Sequence, residues 1–221
     1  MAISNETRGR LKKLGEPIAL ALGRLGLTPD GLTLVGFGIT AVGAILLANR
    51  LWLVGGLVVF AGGAFDMFDG TLARATGRVS RLGAFMDSVF DRWGEALVYV
   101  GIVIGSTRAD FQVGAWLAAA AMASAFLVSY ARAKSEGLGF TSGTGMASIG
   151  LMPREVRLVV LALGLCAAGL AGGVAAAPDA TGSAVLAGAL AIITLGATIT
   201  VIQRVLHVRA QASGEASERP S

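Results

Sequence analysis

Four aspartates stand in parts of this sequence that are otherwise apolar. They are Asp66, Asp69, Asp87 and Asp91. An ionised side chain in a membrane-length apolar segment is costly unless it is paired or has a function. Asp66 and Asp69 are three residues apart, so in a helix they share one face, which Gly70 and Ala73 continue. That face combines two carboxylates with two very small residues.

A second stripe of the same kind follows shortly afterwards. Gly83, Asp87 and Asp91 are spaced by four residues and would also share one helical face. Only a short connection, residues 75–82, separates the two stripes. It predicts antiparallel neighbouring helices, with the two acidic stripes meeting at one end.

Four clustered carboxylates repel one another unless they are protonated or cations lie between them. Two divalent ions would neutralise them, and a ligand set of oxygen atoms favours Mg²⁺ or Mn²⁺ over zinc. The aspartates therefore predict a catalytic metal site. Two other interpretations stay open: the ion pathway of an ion-coupled transporter, and a structural network in which arginines neutralise the aspartates. The arginines of that network would be Arg74, Arg78, Arg81 and Arg92.

The elements that carry these residues are membrane-length helices. Of the 221 residues, 54% are hydrophobic and 14% charged, whereas soluble proteins carry about 25% charged residues. A bilayer core about 30 Å thick is crossed by about 20 apolar residues in a helix. Six such segments predict an all-α integral membrane protein with six transmembrane helices. The segments are 31–49, 53–74, 83–106, 112–133, 155–177 and 183–206.

The two ends of the chain differ from this central domain, which spans residues 31–207. Residues 1–30 combine basic side chains with leucines, a pattern typical of an amphipathic helix at the membrane surface. Residues 208–221 are small, polar and charged, and are expected to form a disordered tail.

Basic residues set the expected orientation. Of the 18 Lys and Arg residues, all except Arg50 and Arg108 fall on one side of the predicted helices. Because basic residues are retained on the cytoplasmic side, both termini and the aspartates are expected to face the cytoplasm of a multi-pass cell-membrane protein. Such a basic face suits anionic membrane lipids and phosphorylated substrates. No basic groove interleaved with aromatic residues indicates nucleic-acid binding.

The residues from Asp66 to Asp91 resemble the signature of the CDP-alcohol phosphatidyltransferase family. The matching positions are Asp66, Asp69, Gly70, Ala73, Arg74, Gly83, Asp87 and Asp91. The resemblance implies transfer of a substituted phosphate from a CDP-linked lipid to an alcohol, with release of CMP. It assigns two Mg²⁺ ions, for which Mn²⁺ is a possible substitute, to the four aspartates, and adds the role of general base at Asp91. It also implies a homodimer, for which Gly101 and Gly105 would permit close helix packing.

The resemblance further implies which residues contact the donor, CDP-diacylglycerol. Small side chains at Gly70 and Ala73 would leave room for the nucleotide, and Arg74 would contact a phosphate or the cytidine. The turn before the first helix and the one before Gly83 supply polar side chains. The implied donor set is Asp30, Thr33, Gly70, Ala73, Arg74 and Ser80.

Basic residues from three separate segments predict a phosphorylated acceptor. They are Arg132 and Lys134, Arg154 and Arg157, and Arg204. The pattern resembles the family branch that makes phosphatidylinositol phosphate from CDP-diacylglycerol and inositol phosphate. The Met152-Pro153-Arg154-Glu155 segment departs from that branch, so the choice between Arg154 and Arg157 as the phosphate contact stays open. A phosphatidylglycerophosphate synthase, using glycerol 3-phosphate, is the alternative within the family. Arg92 and Glu95 are expected beside the site or on the helix surface.

Overall fold

The computed structural model describes residues 17, 20–24, 26–140, 149–175 and 180–217. Over this part of the chain it is helical and contains no strand, which confirms the all-helical prediction. The six helices with defined bounds are α1 (Pro29–Ala48), α2 (Trp52–Ala75), α3 (Arg81–Arg108), α4 (Gln112–Gly137), α5 (Arg154–Leu170) and α6 (Thr181–Ser217).

Four of these helices are long and apolar enough to cross a membrane: α1, α2, α4 and residues 181–213 of α6. The two others differ in length or charge. α5 has 17 residues, and α3 carries Asp87, Asp91, Arg92 and Glu95 within nine residues. Helix lengths and composition therefore indicate a membrane protein, with four candidate spans among the described residues.

Polar side chains define where α1 and α3 begin. The Thr28 hydroxyl accepts a hydrogen bond from the Gly31 amide at 3.1 Å, and Pro29 stands at the start of the helix. The Ser80 hydroxyl accepts one from the Gly83 amide at 2.9 Å. Both satisfy an amide that has no partner within the helix. These caps place Asp30 and Gly83 in the first turns of their helices.

Two helix ends differ from the sequence prediction. α5 ends at Leu170 rather than near residue 177, because Gly172 and Gly173 adopt positive φ angles of 93° and 84°. α6 continues to Ser217, so residues 208–217 are helical where the composition predicts a disordered tail. Good helix formers such as Ala210 and Gln211 extend a helix that is already formed, at little cost.

The predicted amphipathic helix at the N-terminus lies largely outside the described residues. Within it, residues 20–24 are helical. Leu22 packs against a cluster around Leu32 of α1 and Leu72 of α2. The described part of this segment is thus attached to the end of the bundle at which α1 begins.

The helices form a closed ring. α1 packs against α2 and α3, α2 against α5, α3 against α4, and α6 against both α4 and α5. In contrast to the sequence prediction, α2 and α3 barely touch, although they are consecutive. The connection over residues 76–80 lets them diverge, and each packs against α1 instead. The two acidic stripes consequently meet through their side chains, Asp66 with Asp91, rather than through close packing of the two helices.

Glycines on α3 bring it close to α1. A methyl group at Gly101 would collide with the Ala44 carbonyl, and one at Gly105 with the Leu47 carbonyl. Both glycines are buried within the chain. The close helix packing that Gly101 and Gly105 were predicted to permit therefore joins two helices of one chain.

Candidate active site

The acidic residues come together at one end of the ring, where α2 ends and α3 begins. Asp69 is buried and accepts a hydrogen bond from the Thr33 hydroxyl of α1 at 2.7 Å. The amide of Gly70 also donates to this carboxylate. Asp87 lies within electrostatic range of Asp66, Asp69 and Asp91. The structure thus gathers the four predicted aspartates into one acidic cluster.

An arginine from α5 lies inside this acidic cluster. Arg154 Nη2 is 3.0 Å from an oxygen of Asp66 and 2.9 Å from an oxygen of Asp91. Asp91 is also 3.3 Å from Nη1 of Arg92, its neighbour on α3. Arg92 belongs to the arginines that the structural-network interpretation named, and Arg154 does not. The start of α5, rather than the connection between α2 and α3, supplies the cation shared by two aspartates.

The donor atoms of the acidic cluster fit a hard divalent cation. As the side chains are placed, no group of three or more carboxylates, imidazoles and thiols among the described residues encloses a metal position. Two carboxylates nevertheless converge on a single cationic atom, Nη2 of Arg154. Oxygen ligands of this kind suit Mg²⁺ or Mn²⁺. Asp66, Asp69, Asp87 and Asp91 are the residues that would hold such ions.

The predicted donor-binding residues lie around the first turns of α1 and α3 and in the last two turns of α2. A methyl group at Gly83 would lie 3.1 Å from Oδ1 of Asp30 and 3.0 Å from Oγ of Ser80, so these two side chains converge on the glycine. A methyl group at Gly70 would lie 3.2 Å from Nη1 of Arg74. Polar side chains therefore lie in close contact with both glycines, Asp30 and Ser80 at Gly83 and Arg74 at Gly70.

The predicted acceptor-binding residues on α4 are accessible. The side chain of Arg132 is 43% exposed, and its Nε donates to Glu136 at 2.9 Å. Lys134 is exposed as well. Arg132 lies within electrostatic range of Arg92 on α3 and Arg204 on α6. This proximity places Arg132 at the same end of the bundle as the acidic cluster.

Two of the predicted acceptor residues are buried and engaged by the protein. Arg157 is 1% exposed and forms a two-point ion pair with Glu95, at 2.8 and 2.9 Å. Arg204 is 4% exposed, and its guanidinium donates to the carbonyls of Ile149 and Val128. The side chain of Arg154, at 27% exposure, is the more accessible of the two α5 arginines.

A cavity links the acidic cluster to the interior. Asp66, Asp91 and Arg154 line its polar part, and Glu95 and Arg157 line it further along α3 and α5. The remaining wall is mainly apolar, and includes Phe37, Val59, Val98, Leu158 and Leu161. From the sequence, Glu95 was expected beside the site or on the helix surface. The available signal was its position, since Glu95 continues the four-residue spacing of Gly83, Asp87 and Asp91.

Comparison with known proteins assigns this arrangement to a class. The sequence profile described as CDP-alcohol phosphatidyltransferase matches residues 26–202, which include the acidic cluster and the two arginines that pair with it, Arg92 and Arg154. The chain belongs to the CDP-alcohol phosphatidyltransferase family and is a membrane enzyme of that class. It is 36% identical, over 209 residues, to the phosphatidylinositol phosphate synthase of Cutibacterium acnes. That match covers 89% of this chain and 93% of the relative.

Two solved structures of a Mycobacterium tuberculosis phosphatidylinositol phosphate synthase share the fold. One is a complex with manganese and citrate, with a TM-score of 0.75 and 27% identity, and the match covers 88% of each chain. The other has CDP-DAG bound, with a TM-score of 0.74 and 28% identity. Its match covers 89% of this chain and 94% of the other.

Proposed function

We propose that the protein transfers a phosphatidyl group from CDP-diacylglycerol to inositol phosphate, producing phosphatidylinositol phosphate and CMP. The observation that carries this proposal is Arg154, a partly exposed base that lies between Asp66 and Asp91 and lines one cavity with them. An acidic cluster suited to a metal-bound pyrophosphate thereby adjoins bases suited to a phosphorylated alcohol. The relative named above and the structure with CDP-DAG bound support the same acceptor and donor.

In the proposed reaction Asp91 is the general base. It takes the proton of the acceptor hydroxyl while the hydroxyl oxygen attacks the phosphorus that bears the diacylglycerol. A new oxygen–phosphorus bond forms, the bond from that phosphorus to the CMP oxygen breaks, and CMP leaves with the electron pair. Arg92 and Arg154 both contact Asp91 and orient its carboxylate. Divalent ions held by the four aspartates would stabilise the negative charge of the pyrophosphate.

The donor is proposed to bind where α1, α2 and α3 meet. Thr33 holds Asp69 in place by its hydrogen bond, and the side chains of Asp30 and Ser80 converge on Gly83. Arg74, beside Gly70, supplies a cation for a phosphate or for the cytidine. Ala73 is half-buried next to it and leaves room on the same helix face.

Accessibility favours Arg154 over Arg157 as the contact of the acceptor phosphate. Arg154 lines the cavity and is partly exposed, and Arg132 and Lys134 on α4 are accessible as well. The guanidinium of Arg157, by comparison, is occupied by Glu95 and by the carbonyl of Met152. Arg132, Lys134 and Arg154 are therefore proposed to bind the acceptor, with Arg157 and Arg204 behind them.

The proposed placement in the cell membrane has six crossing helices and the site on the cytoplasmic side. α3 and α5 cross together with the four candidate spans, because each continues from the site into the apolar core of the bundle. Arg108 donates to the Ala48 carbonyl at 2.8 Å where α1 ends, away from the acidic cluster. Arg108 therefore lies at the other end of the bundle, on the side of the membrane where few basic residues are expected. A homodimer stays a prediction from the family resemblance.

Release of CMP tests this function directly. Purified protein is incubated with CDP-diacylglycerol, Mg²⁺ and, separately, inositol phosphate, glycerol 3-phosphate, inositol or serine. We expect CMP with inositol phosphate, abolition by a chelator and recovery with Mg²⁺ or Mn²⁺. Turnover with glycerol 3-phosphate and with none of the other acceptors would instead identify a phosphatidylglycerophosphate synthase. Absence of CMP with every acceptor would contradict the enzymatic function and favour the transporter interpretation.

A further inference from the structure

We propose that the described residues of the 20–28 segment, here called the N-terminal corner, are a positioning element for the metal-binding end of α2. Gly23 of the corner contacts Leu72 of α2 and keeps it against Leu32 of α1, and this packing holds Asp69 in place. The inference rests on the proposed role of the aspartates in binding divalent ions. Its consequences for metal affinity and for the motion of α2 can be measured without any substrate.

The end of α2 that carries Asp66 and Asp69 has two adjoining faces. The aspartates belong to the acidic cluster, and each of them directly follows a phenylalanine. Both phenylalanines share the neighbouring face with a leucine, because residues three or four apart lie above one another in a helix. This apolar face packs in one cluster with Leu32 of α1 and two leucines of the N-terminal corner. Its three residues are Phe65, Phe68 and Leu72.

The N-terminal corner has a defined shape. The Leu27 amide donates to the Leu22 carbonyl at 3.3 Å, and the Gly26 amide donates to the Gly23 carbonyl at 3.0 Å. With a φ angle of 89° at Gly26, these are the hydrogen bonds of a Schellman motif. Leu22 and Leu27 occupy the two positions whose apolar side chains commonly meet in this motif, and both pack against the apolar cluster. Thr28 follows at once and caps α1, so the corner is attached to the start of α1 without a flexible linker.

Gly23 is the residue through which the corner meets α2. A methyl group at Gly23 would lie 2.7 Å from a methyl carbon of Leu72, so a larger side chain would collide with it. Leu72 is 1% exposed, and a side chain in such a closely packed environment has little room to turn away. The absence of a side chain at Gly23 therefore determines where Leu72 can lie.

The spacing of α1 and α2 depends on Leu72 near the acidic cluster and on the backbone farther away. A methyl group at Gly43 of α1 or at Gly62 of α2 would lie 3.1 Å from a backbone nitrogen of the other helix, so the two backbones touch there. Near the cluster, by contrast, the helices meet through the side chains of Leu32 and Leu72. A displaced Leu72 would change the spacing at this end and leave the remainder of the helix contact intact.

Asp69 lies directly beside this contact. Thr33 follows Leu32 on α1, and its hydroxyl donates to the Asp69 carboxylate at 2.7 Å. Asp69 precedes Leu72 by three residues, about one helical turn. Packing against α3 gives this end of α2 little support, since α2 and α3 barely touch. The leucine contact and the hydrogen bond thus depend on one placement of α1 and α2, and displacing Leu72 would weaken the hold of Asp69 on a cation.

The first test measures Mn²⁺ affinity of the purified protein by electron paramagnetic resonance of the free ion. Gly23→Val should raise the Kd about tenfold, the lower end of the range for groups that orient metal ligands. Its Tm should stay close to that of the parent, because Gly23 lies outside the main apolar core. Ala21→Val is the matched control: Ala21 is exposed on the same stretch of helix, and this variant should bind Mn²⁺ like the parent. Parent-like affinity of a folded Gly23→Val variant would overturn the proposal.

A compensating substitution tests whether Gly23 acts through Leu72. Leu72→Ala in the Gly23→Val background removes the side chain that the valine meets. We expect the Kd for Mn²⁺ to return to within about threefold of the parent, although Leu72→Ala alone raises it, because residues in contact have non-additive effects. Additive losses in the double variant would show that the two residues act separately and would contradict the proposal. If Gly23→Val does not fold, Gly23→Ala, which adds a single methyl group, takes its place in each comparison.

Hydrogen exchange provides a second test, which needs neither metal nor substrate. Gly23→Val should speed exchange of the amides of residues 70–75 about tenfold, because the end of α2 loses support, and should leave exchange in α4 unchanged. Parent-like exchange at residues 70–75 would refute the positioning role. A parent that binds Mn²⁺ but releases no CMP would refute the proposed reaction and leave these comparisons valid. A parent without Mn²⁺ affinity would overturn both the metal site and this inference.

Discussion

The acidic half and the basic half of the site are assembled in different ways. The acidic half comes from 26 residues, Asp66 to Asp91, on two consecutive helices. The basic half comes from α4, α5 and α6, over residues 132–204. In the acidic half Asp66 and Asp91 line the cavity, whereas in the basic half two of the five bases are buried and hold the backbone. The aspartates are thus close together in the sequence, whereas the basic residues come near them only through tertiary packing.

The largest effect is expected from Asp91→Asn, which removes the proposed base and preserves the shape of the acidic half. Because general-base catalysis contributes about 10²- to 10⁴-fold, turnover should fall by that factor. CMP release and equilibrium binding of CDP-diacylglycerol are measured side by side. Binding should persist, since Asp66, Asp69 and Asp87 remain. Unchanged turnover would show that a group other than Asp91 accepts the proton of the acceptor hydroxyl.

A smaller effect is expected from Gly36→Ala, which alters the acidic half from outside its motif. A methyl group at Gly36 would collide with the Asp66 carboxylate and displace it. Residues that orient a metal-binding carboxylate typically contribute about 10- to 100-fold in metal affinity or activity, so Mn²⁺ affinity and turnover should fall within that range.

Gly38→Ala is the control for Gly36→Ala. Gly38 lies two residues further along α1, and a methyl group there would meet nothing within 4 Å. It should match the parent in Mn²⁺ binding and in turnover. Equal effects of both substitutions would show that the helix, rather than the Asp66 carboxylate, is perturbed.

The smallest effect is expected from Arg132→Ala in the basic half. Arg132 is exposed and pairs with Glu136 at the surface, where such contacts contribute little to stability. We expect an unchanged Tm and an acceptor KM raised about threefold at low salt, with the difference shrinking as salt screens the charge. Arg78→Ala, at an exposed base of the α2–α3 connection, serves as the control. A large, salt-independent loss would place Arg132 in direct, enclosed contact with the acceptor.

The same contrast explains how much could be predicted from sequence. The spacing of Asp66, Asp69, Asp87 and Asp91 predicts two helical faces, and the structure gathers these faces at one end. Local rules also identify α1 and α3, whose capping hydroxyls lie within three residues of the amides they satisfy. Both predictions depend on contacts close in sequence.

Contacts between distant residues were not predictable in this way. The ion pair between Arg154 and Asp66 joins residues 88 positions apart. The packing of α2 and α3 was predicted wrongly, because a short connection limits the distance between helix ends without requiring the helices to touch. Burial separates Arg157 from Arg154, although both are arginines in the first turn of one helix. Exposure of this kind depends on all the neighbouring helices together.

The length of α6 has a consequence for the shape of the protein at the membrane surface. Its 37 residues make a helix about 55 Å long. Even at a tilt of about 40°, the upper end of the usual range, such a helix covers more depth than a hydrocarbon layer about 30 Å thick. About ten residues must therefore stand clear of that layer. In the proposed orientation these residues form a helical extension on the cytoplasmic side, which continues α6 beyond Arg204 into the water.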